Sequence, residues 1–268
     1  MTVRRLERGS DDGYRSALVR GLKSSLDAER LADELAWATA RLVQLGAQPP
    51  GLYAEVADRA GDLEERSWLA FLIAYLGPLD GDAPFAAVEA ARVPWGTETP
   101  PELEDAAVGP RGSHDAARGQ RTVEAYRAWA ARAGSQAAGY TGDAAWTPER
   151  RFARAFERLS LPGFDRGARF DLLVTLGATG TYELRAGALA FGGTDPVTVA
   201  AKRLLGIGDP LLLERRAADL AAACAVSLEA LDAAFFNWER GERARLGMGS
   251  GLEPDAVVAG EARAALGL

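Results

Sequence analysis

Apolar residues recur along most of this chain at intervals of three and four positions, which is the spacing of one face of an α-helix. Between residues 28 and 46 the pattern aligns Leu31, Leu35 and Leu42 and stops at a glycine, a residue that commonly ends helices. Residues 65–77 are apolar on nearly every face and therefore predict a helix at the centre of the fold. The pattern as a whole predicts an all-α protein with about ten helices.

Residues that suit helix starts agree with this pattern. Thr147 precedes Pro148 and Glu149, a combination of cap, first-turn proline and acidic residue that is typical of a helix N-terminus. Asp209 and Ser227 stand in the same way before two later apolar segments. The local sequence therefore predicts where several helices begin.

No internal repeat or composition shift divides the 268 residues. We therefore expect a single helical domain over residues 1–268, in which residues 93–119, rich in proline, glycine and acid, form a flexible loop. Residues 247–268 are expected to form a C-terminal tail. The stretch 181–193 has the character of one extended strand, but no other stretch has a pattern that would pair with it.

Composition excludes several classes of protein. The formal charge is −7, which excludes a positive field over the whole surface of the kind that drives nonspecific DNA binding. Cys224 is the only cysteine and His114 the only histidine, so a disulfide, a cysteine-ligated cluster, a histidine metal site and a Ser-His-Asp triad are not expected. Any catalysis is expected to use carboxylates, hydroxyls, cationic side chains and backbone groups, with no metal or cofactor.

The N-terminal residues lack an apolar leader, and no segment approaches the ~18 consecutive apolar residues that a membrane span requires. The expected location is the cytoplasm, without a membrane partner.

Leu161, Pro162 and Gly163 stop one predicted helix, and a second begins near Arg166. Such a hairpin leaves backbone N–H groups without helical acceptors at the start of its second helix, where they suit a phosphate. Residues 150–169 hold six arginines and two acidic residues, so this segment is basic within an acidic protein.

Asp195 and Pro196 open a later apolar helix. An aspartate before a first-turn proline is a good helix cap, and Asp209-Pro210 repeats the arrangement further on. The local sequence alone leaves two alternatives for Asp195, a cap or a carboxylate placed at a helix start for chemistry.

Residues 161–164 and 193–206 together resemble the helix-hairpin-helix DNA glycosylase superfamily. In that family a Leu-Pro-Gly hairpin contacts the DNA backbone, and a later helix opens with the catalytic aspartate. The resemblance covers about residues 60–245 and implies a two-lobed helical fold with a core at about residues 28–246. It also implies duplex DNA with a flipped base as the partner.

The resemblance assigns roles to particular residues. Asp195 takes the catalytic position, and Trp68 and Tyr75 border the base pocket, although aromatic residues at such helical spacing also form ordinary cores. The DNA-binding positions are those of the hairpin and of the helix after Asp195: Leu161, Pro162, Gly163, Phe164, Arg166, Arg169 and Lys202. A simpler interpretation of Lys202 is stabilisation of the helix dipole, because a cation near a helix C-terminus interacts favourably with it.

Three positions depart from the family pattern. Gly167 stands where bifunctional members carry the Schiff-base lysine, so the imine route to strand cleavage is closed. Asp165 replaces the second hairpin glycine and puts a negative charge close to the expected phosphate. The four late cysteines of the iron–sulfur members are missing, since Cys224 is alone.

Among the subgroups, the run from residue 170 to 238 looks most like the alpha-glutamyl/putrescinyl thymine pyrophosphorylase-like clade. That likeness implies base modification, with displacement of pyrophosphate from an activated hydroxymethyl base, while the superfamily resemblance implies base excision, and the sequence leaves both open. The alternatives are a nucleic-acid-binding module without catalysis and a helical interaction protein.

Overall fold

The computed structural model describes residues 9–240 and 252–268, and all regular secondary structure within them is helical. The all-α prediction is thus confirmed for these residues. No helix in them is long and apolar enough to cross a membrane. The helices are α1 (Ser25–Ala47), α2 (Leu52–Ala57), α3 (Leu63–Leu76), α4 (Ala86–Ala91), α5 (Gly119–Ala133), α6 (Gln136–Thr141), α7 (Pro148–Arg158), α8 (Arg166–Ala178), α9 (Pro196–Leu205), α10 (Pro210–Ala223), α11 (Leu228–Arg240) and α12 (Ala256–Leu266).

The described residues form two compact units. The hairpin unit comprises residues 43–187, and the aspartate unit comprises residues 9–42, 188–240 and 252–268. Helix α1 begins in the aspartate unit and ends in the hairpin unit. The predicted tail lies partly outside the described residues, as do the N-terminal residues, whereas its second half contains α12.

The core of the hairpin unit is built around α3, which has no exposed side from Arg66 to Leu76. Helices α2, α4, α6 and α8 pack against it. Its aromatic rings stack with those of α5, and the centroids of Phe71 and Tyr126 lie 3.9 Å apart. The prediction that residues 65–77 form a central helix is confirmed within this unit, because an all-apolar helix has to be covered on every face.

In the aspartate unit, α9 packs against α10 and α11. Polar contacts connect α1 to the C-terminal helices: the indole of Trp238 donates to the Asp27 carbonyl at 3.0 Å, and Arg263 pairs with Asp33 at 2.6 Å. Burial of Leu204, Leu205 and neighbouring apolar residues completes this core.

Two local predictions differ from the structure. Residues 134–146 are rich in glycine and alanine, a composition that predicts a loop, but they contain α6, whose first amides donate to the carboxylate of Glu64 on α3. Residues 181–193 form no strand: Thr181 and Tyr182 donate to the Leu176 carbonyl, and the Glu214 carboxylate accepts the N–H groups of residues 189 and 191. In both places a carboxylate far along the chain, that of Glu64 or Glu214, accepts backbone N–H groups, and a local sequence pattern does not reveal such an acceptor.

Cys224 lies at the C-terminal end of α10 and is fully buried. Burial raises the pKa of its thiol to about 11. The thiolate is the reactive form of cysteine, so the native protein holds this thiol in an unreactive state.

We therefore expect that an aromatic disulfide reagent leaves the native protein unlabelled at pH 8 and labels one thiol in denaturant, read by absorbance. Because the folded pKa lies above the unfolded one, the contribution of Cys224 to stability is present below pH 9 and is lost as the pH rises towards 11. A Cys224→Ala variant gives the reagent blank. Labelling of the native protein at the denatured rate would contradict this burial.

Candidate nucleic-acid interface

Helices α7 and α8 form a helical hairpin whose turn is closed by its own backbone. The carbonyl of Leu161 accepts a hydrogen bond from the Phe164 N–H at 3.1 Å, and Gly163 has a φ of 73°. A proline at the second position and a left-handed glycine at the third are typical of a type II turn. The hydroxyl of Thr122 on α5 also donates to the Pro162 carbonyl at 2.8 Å, so the turn is held from outside as well.

The start of α8 is capped by Asp165. Its carboxylate accepts the N–H of Ala168 at 3.0 Å, and α8 begins at Arg166, where the sequence analysis expects it. Aspartate is among the best capping residues, which explains why α8 begins directly after this position. Its negative charge nevertheless lies at the same helix end that a phosphate would approach.

The two arginines of α8 point towards protein rather than solvent. Arg166 is 7% exposed, and its guanidinium carbon lies 4.7 Å from the ring centroid of Phe170. Arg169 lies over the ring of Phe156 on α7 and donates to the Phe156 carbonyl at 3.1 Å. Burial lowers the pKa of Arg169. The observed contacts therefore join α7 to α8 through these side chains.

The turn itself is unevenly exposed. Pro162 is exposed, while Leu161 and Gly163 are partly exposed. Phe164 is buried and packs against the α3 rings, with its centroid 5.2 Å from that of Phe71. Of the turn residues 161–164, Pro162 is the exposed one, so a ligand at the turn reaches Pro162 and the backbone beside it.

Trp68 and Tyr75 are 1% and 0% exposed. The indole N–H of Trp68 donates to the Val93 carbonyl at 2.8 Å, and its ring stacks on Phe71 at 5.3 Å. Both residues belong to the packed aromatic core of the hairpin unit in this structure. Their assignment to a base pocket stays a prediction, and it requires this core to open.

His114 is buried, although it belongs to residues 93–119, whose composition predicts a flexible loop. Its Nε2 lies 2.8 Å from the Leu103 carbonyl, and its Nδ1 lies 3.0 Å from the Tyr75 hydroxyl. A carbonyl only accepts, so Nε2 donates to Leu103, and Nδ1 shares the second hydrogen bond with the Tyr75 hydroxyl. His114 thus connects the irregular segment 93–118 to α3.

Asp195 caps α9 with both carboxylate oxygens. Oδ1 accepts the N–H groups of Val197 at 3.1 Å and Thr198 at 3.3 Å, and Oδ2 accepts the Thr198 hydroxyl. That hydroxyl in turn accepts the Gly192 N–H at 3.0 Å. The carboxylate is therefore oriented by its own helix start and is partly exposed.

Asp209 caps α10 more simply, through one bond from the Leu212 N–H at 2.9 Å. Lys202 is exposed in the last turn of α9, before the left-handed Gly206. This position suits stabilisation of the helix dipole, and it also leaves the ammonium group accessible.

The structure brings some predicted site residues together. Trp68 and Tyr75 share one aromatic cluster with Phe164 of the turn. Asp195 and Lys202 lie on α9 of the aspartate unit, whereas the hairpin belongs to the other unit.

The hairpin unit has a groove of about 920 Å³ elsewhere. Alanines of α4 and the prolines Pro100 and Pro101 supply its apolar lining, and Glu102, Glu104 and Asp105 supply its acidic lining. None of the predicted site residues lies in this groove. Among residues 9–240 and 252–268, no group of three or more His, Cys, Asp or Glu is arranged to bind a metal.

Comparison with known proteins leaves the function open: no protein-family model matches the chain, and no curated protein or solved structure is significantly similar to it.

Sequence reasoning missed Trp146 as a possible contact residue. Arg150 and Arg158 place their guanidinium carbons 5.3 and 5.8 Å from the centroid of the Trp146 ring. The arginines at positions 150, 154 and 158 are spaced four apart, so they lie along one side of α7, and Trp146 precedes them at the same spacing. This four-residue spacing is the feature of the sequence that indicates a cluster of Trp146 with the arginines of α7.

The turn geometry predicts opposite effects for two nearby glycines. Gly163→Ala places a side chain in the left-handed region and a Cβ 2.5 Å from the Thr122 hydroxyl, so we expect a loss of at least about 1–2 kcal/mol of unfolding free energy. Gly167→Ala meets nothing closer than 3.6 Å within α8, so we expect no loss, and a gain of up to about 1 kcal/mol. Urea unfolding followed by circular dichroism measures both, and equal effects would contradict this turn geometry.

Proposed function

We propose that this protein binds DNA through the hairpin of α7 and α8 and acts on a base with the carboxylate of Asp195. The proposal joins the family resemblance of the sequence to the helical hairpin of α7 and α8. Its substrate is duplex DNA from which one base has left the stack, at a cost of roughly a few kcal/mol.

The observation that carries the proposal is the turn between the two helices. Gly163 is left-handed, Pro162 is exposed, and α8 begins directly after the turn, so the backbone of a short rigid corner faces solvent. The positive end of the α8 dipole attracts an anion such as a backbone phosphate, and the Asp165 carboxylate, which already accepts the Ala168 N–H, opposes that attraction. A corner held by Thr122 and Phe164 needs little ordering when it binds.

The carboxylate of Asp195 has two chemical routes. In base excision, it stabilises positive charge at the sugar carbon while the base leaves, and water then adds to that carbon. In base modification, it removes a proton from an incoming amine that displaces pyrophosphate from an activated hydroxymethyl thymine. No amine is present at Gly167, so neither route includes a lysine imine.

The finer assignment to thymine modification rests on the likeness of residues 170–238 to the thymine pyrophosphorylase-like clade. The location that goes with either reaction is the cytoplasm.

A DNA-binding module without catalysis is the second candidate, and one observation favours it. Both oxygens of Asp195 already accept hydrogen bonds from its own helix, which a purely structural cap also does.

Binding by the hairpin is tested with a glutamate at the turn. Pro162→Glu adds a negative charge at the exposed corner and should weaken binding of a fluorescent 20-base-pair duplex by about tenfold or more, read by anisotropy at fixed salt. Ala107→Glu adds the same charge at another exposed position of the hairpin unit and should change affinity by less than about twofold. Equal losses in both variants, or no duplex binding by the wild type, would exclude the hairpin as the contact.

Catalysis is tested by Asp195→Asn with Asp209→Asn as its matched control. Both asparagines retain a capping oxygen, so we expect melting temperatures within a few degrees of the wild type. Product formation on duplexes with activated hydroxymethyl thymine or damaged bases should fall about a hundredfold or more in Asp195→Asn alone. Unchanged turnover in Asp195→Asn excludes its catalytic role, and duplex binding without any turnover in the wild type favours the second candidate.

A further inference from the structure

The indole of Trp146 lies between α6 and α7, and its position is fixed by the chain beneath it. Gly142 has a φ of 59°, and a Cβ at that position would lie 2.5 Å from the Trp146 ring. The backbone N–H of Trp146 also donates to the Asp143 carbonyl at 3.1 Å. The ring is therefore seated against a glycine and remains partly exposed.

Two guanidinium groups, those of Arg150 and Arg158, lie over this ring. Three carboxylates of the same unit pair with other arginines: Glu149 with Arg185 at 2.6 Å, Glu157 with Arg154 at 2.8 Å, and Glu183 with Arg151. Within the described residues, the side chains of Arg150 and Arg158 have contacts with Trp146 but no ion pair. Both arginines are exposed.

We infer that Trp146, Arg150 and Arg158 form a stacking site for a nucleotide of single-stranded DNA. An aromatic face for the base beside cations for the phosphate is the combination that single-strand-binding proteins use. A duplex keeps its bases stacked on each other and offers this ring nothing to stack on. An acidic peptide would use the arginines but would gain little from the indole.

This inference rests on the proposed function and adds a segment to its substrate. Arg158 is the last residue of α7, and the exposed corner at Pro162 follows in the same unit. A DNA strand bound at the corner and continuing along α7 would reach Trp146 with unpaired nucleotides. The preferred substrate would then be a duplex that has a single-stranded or opened segment beside the bound phosphate.

The test uses the full-length protein and a fluorescent thymidine 12-mer, with affinity read by anisotropy at several salt concentrations. Trp146→Leu should lower affinity about tenfold through the lost stacking. Arg150→Ala/Arg158→Ala should lower affinity and reduce the slope of log K against log salt by about 1.4, because two phosphate contacts are lost. Arg121→Ala/Arg132→Ala removes two exposed arginines of α5 in the same unit and should leave the slope unchanged.

Several outcomes would overturn the inference: no 12-mer binding by the wild type, affinities of the Trp146 and double arginine variants within twofold of the wild type, or an effect of the arginine pair without any effect of Trp146. Circular dichroism verifies folding of each variant, and the double arginine variant tests the site if Trp146→Leu does not fold. The Pro162→Glu comparison on duplex DNA separates the two proposals. Hairpin-dependent duplex binding without a Trp146 effect refutes the stacking site alone, and the converse refutes the hairpin alone.

Discussion

Burial of α3 on every side is the constraint on which the hairpin unit depends. A helix without an exposed face is stable only when neighbouring elements cover it completely, and α2, α4, α6 and α8 do so here. Its polar side chains are satisfied from those neighbours: Arg66 donates to the Val56 carbonyl at 2.8 Å, and Ser67 shares a hydrogen bond with Tyr182 at 2.6 Å. Unsatisfied, these buried groups would each cost about 1–3 kcal/mol.

The aromatic core around α3 holds the turn at residues 161–164, which is the candidate DNA-binding corner. Phe164 inserts into the rings of α3, so the residue after Gly163 is anchored while Pro162 stays outside. Thr122 adds a hydrogen bond from α5. The arginines of α8 then serve the packing of the two hairpin helices, and the accessible positive charge lies instead on α7. An interface built on these elements is rigid at the corner and charged along its first helix.

Aspartate is the most frequent capping side chain at the helix starts that the structure describes. Asp62, Asp165, Asp209 and Asp255 each accept N–H groups from the first turn of the following helix. An aspartate before a helix is therefore no evidence for chemistry by itself. At Asp195 the second oxygen also accepts the Thr198 hydroxyl, so the backbone and a side chain of the helix start both orient this carboxylate.

Local pattern alone determined the long helices, the capping residues and the turn at Gly163, because these depend on side-chain periodicity and backbone preference within a few residues. Only the tertiary structure decided the features whose partners are far along the chain. Helix α6 starts where the Glu64 carboxylate accepts its first amides, and His114 is buried against Tyr75. The Arg166 side chain is buried, although its position at a helix start is also compatible with exposure to solvent. The direction of a side chain and the acceptor of a buried amide are set by elements that pack from elsewhere, and a single sequence does not contain that arrangement in local form.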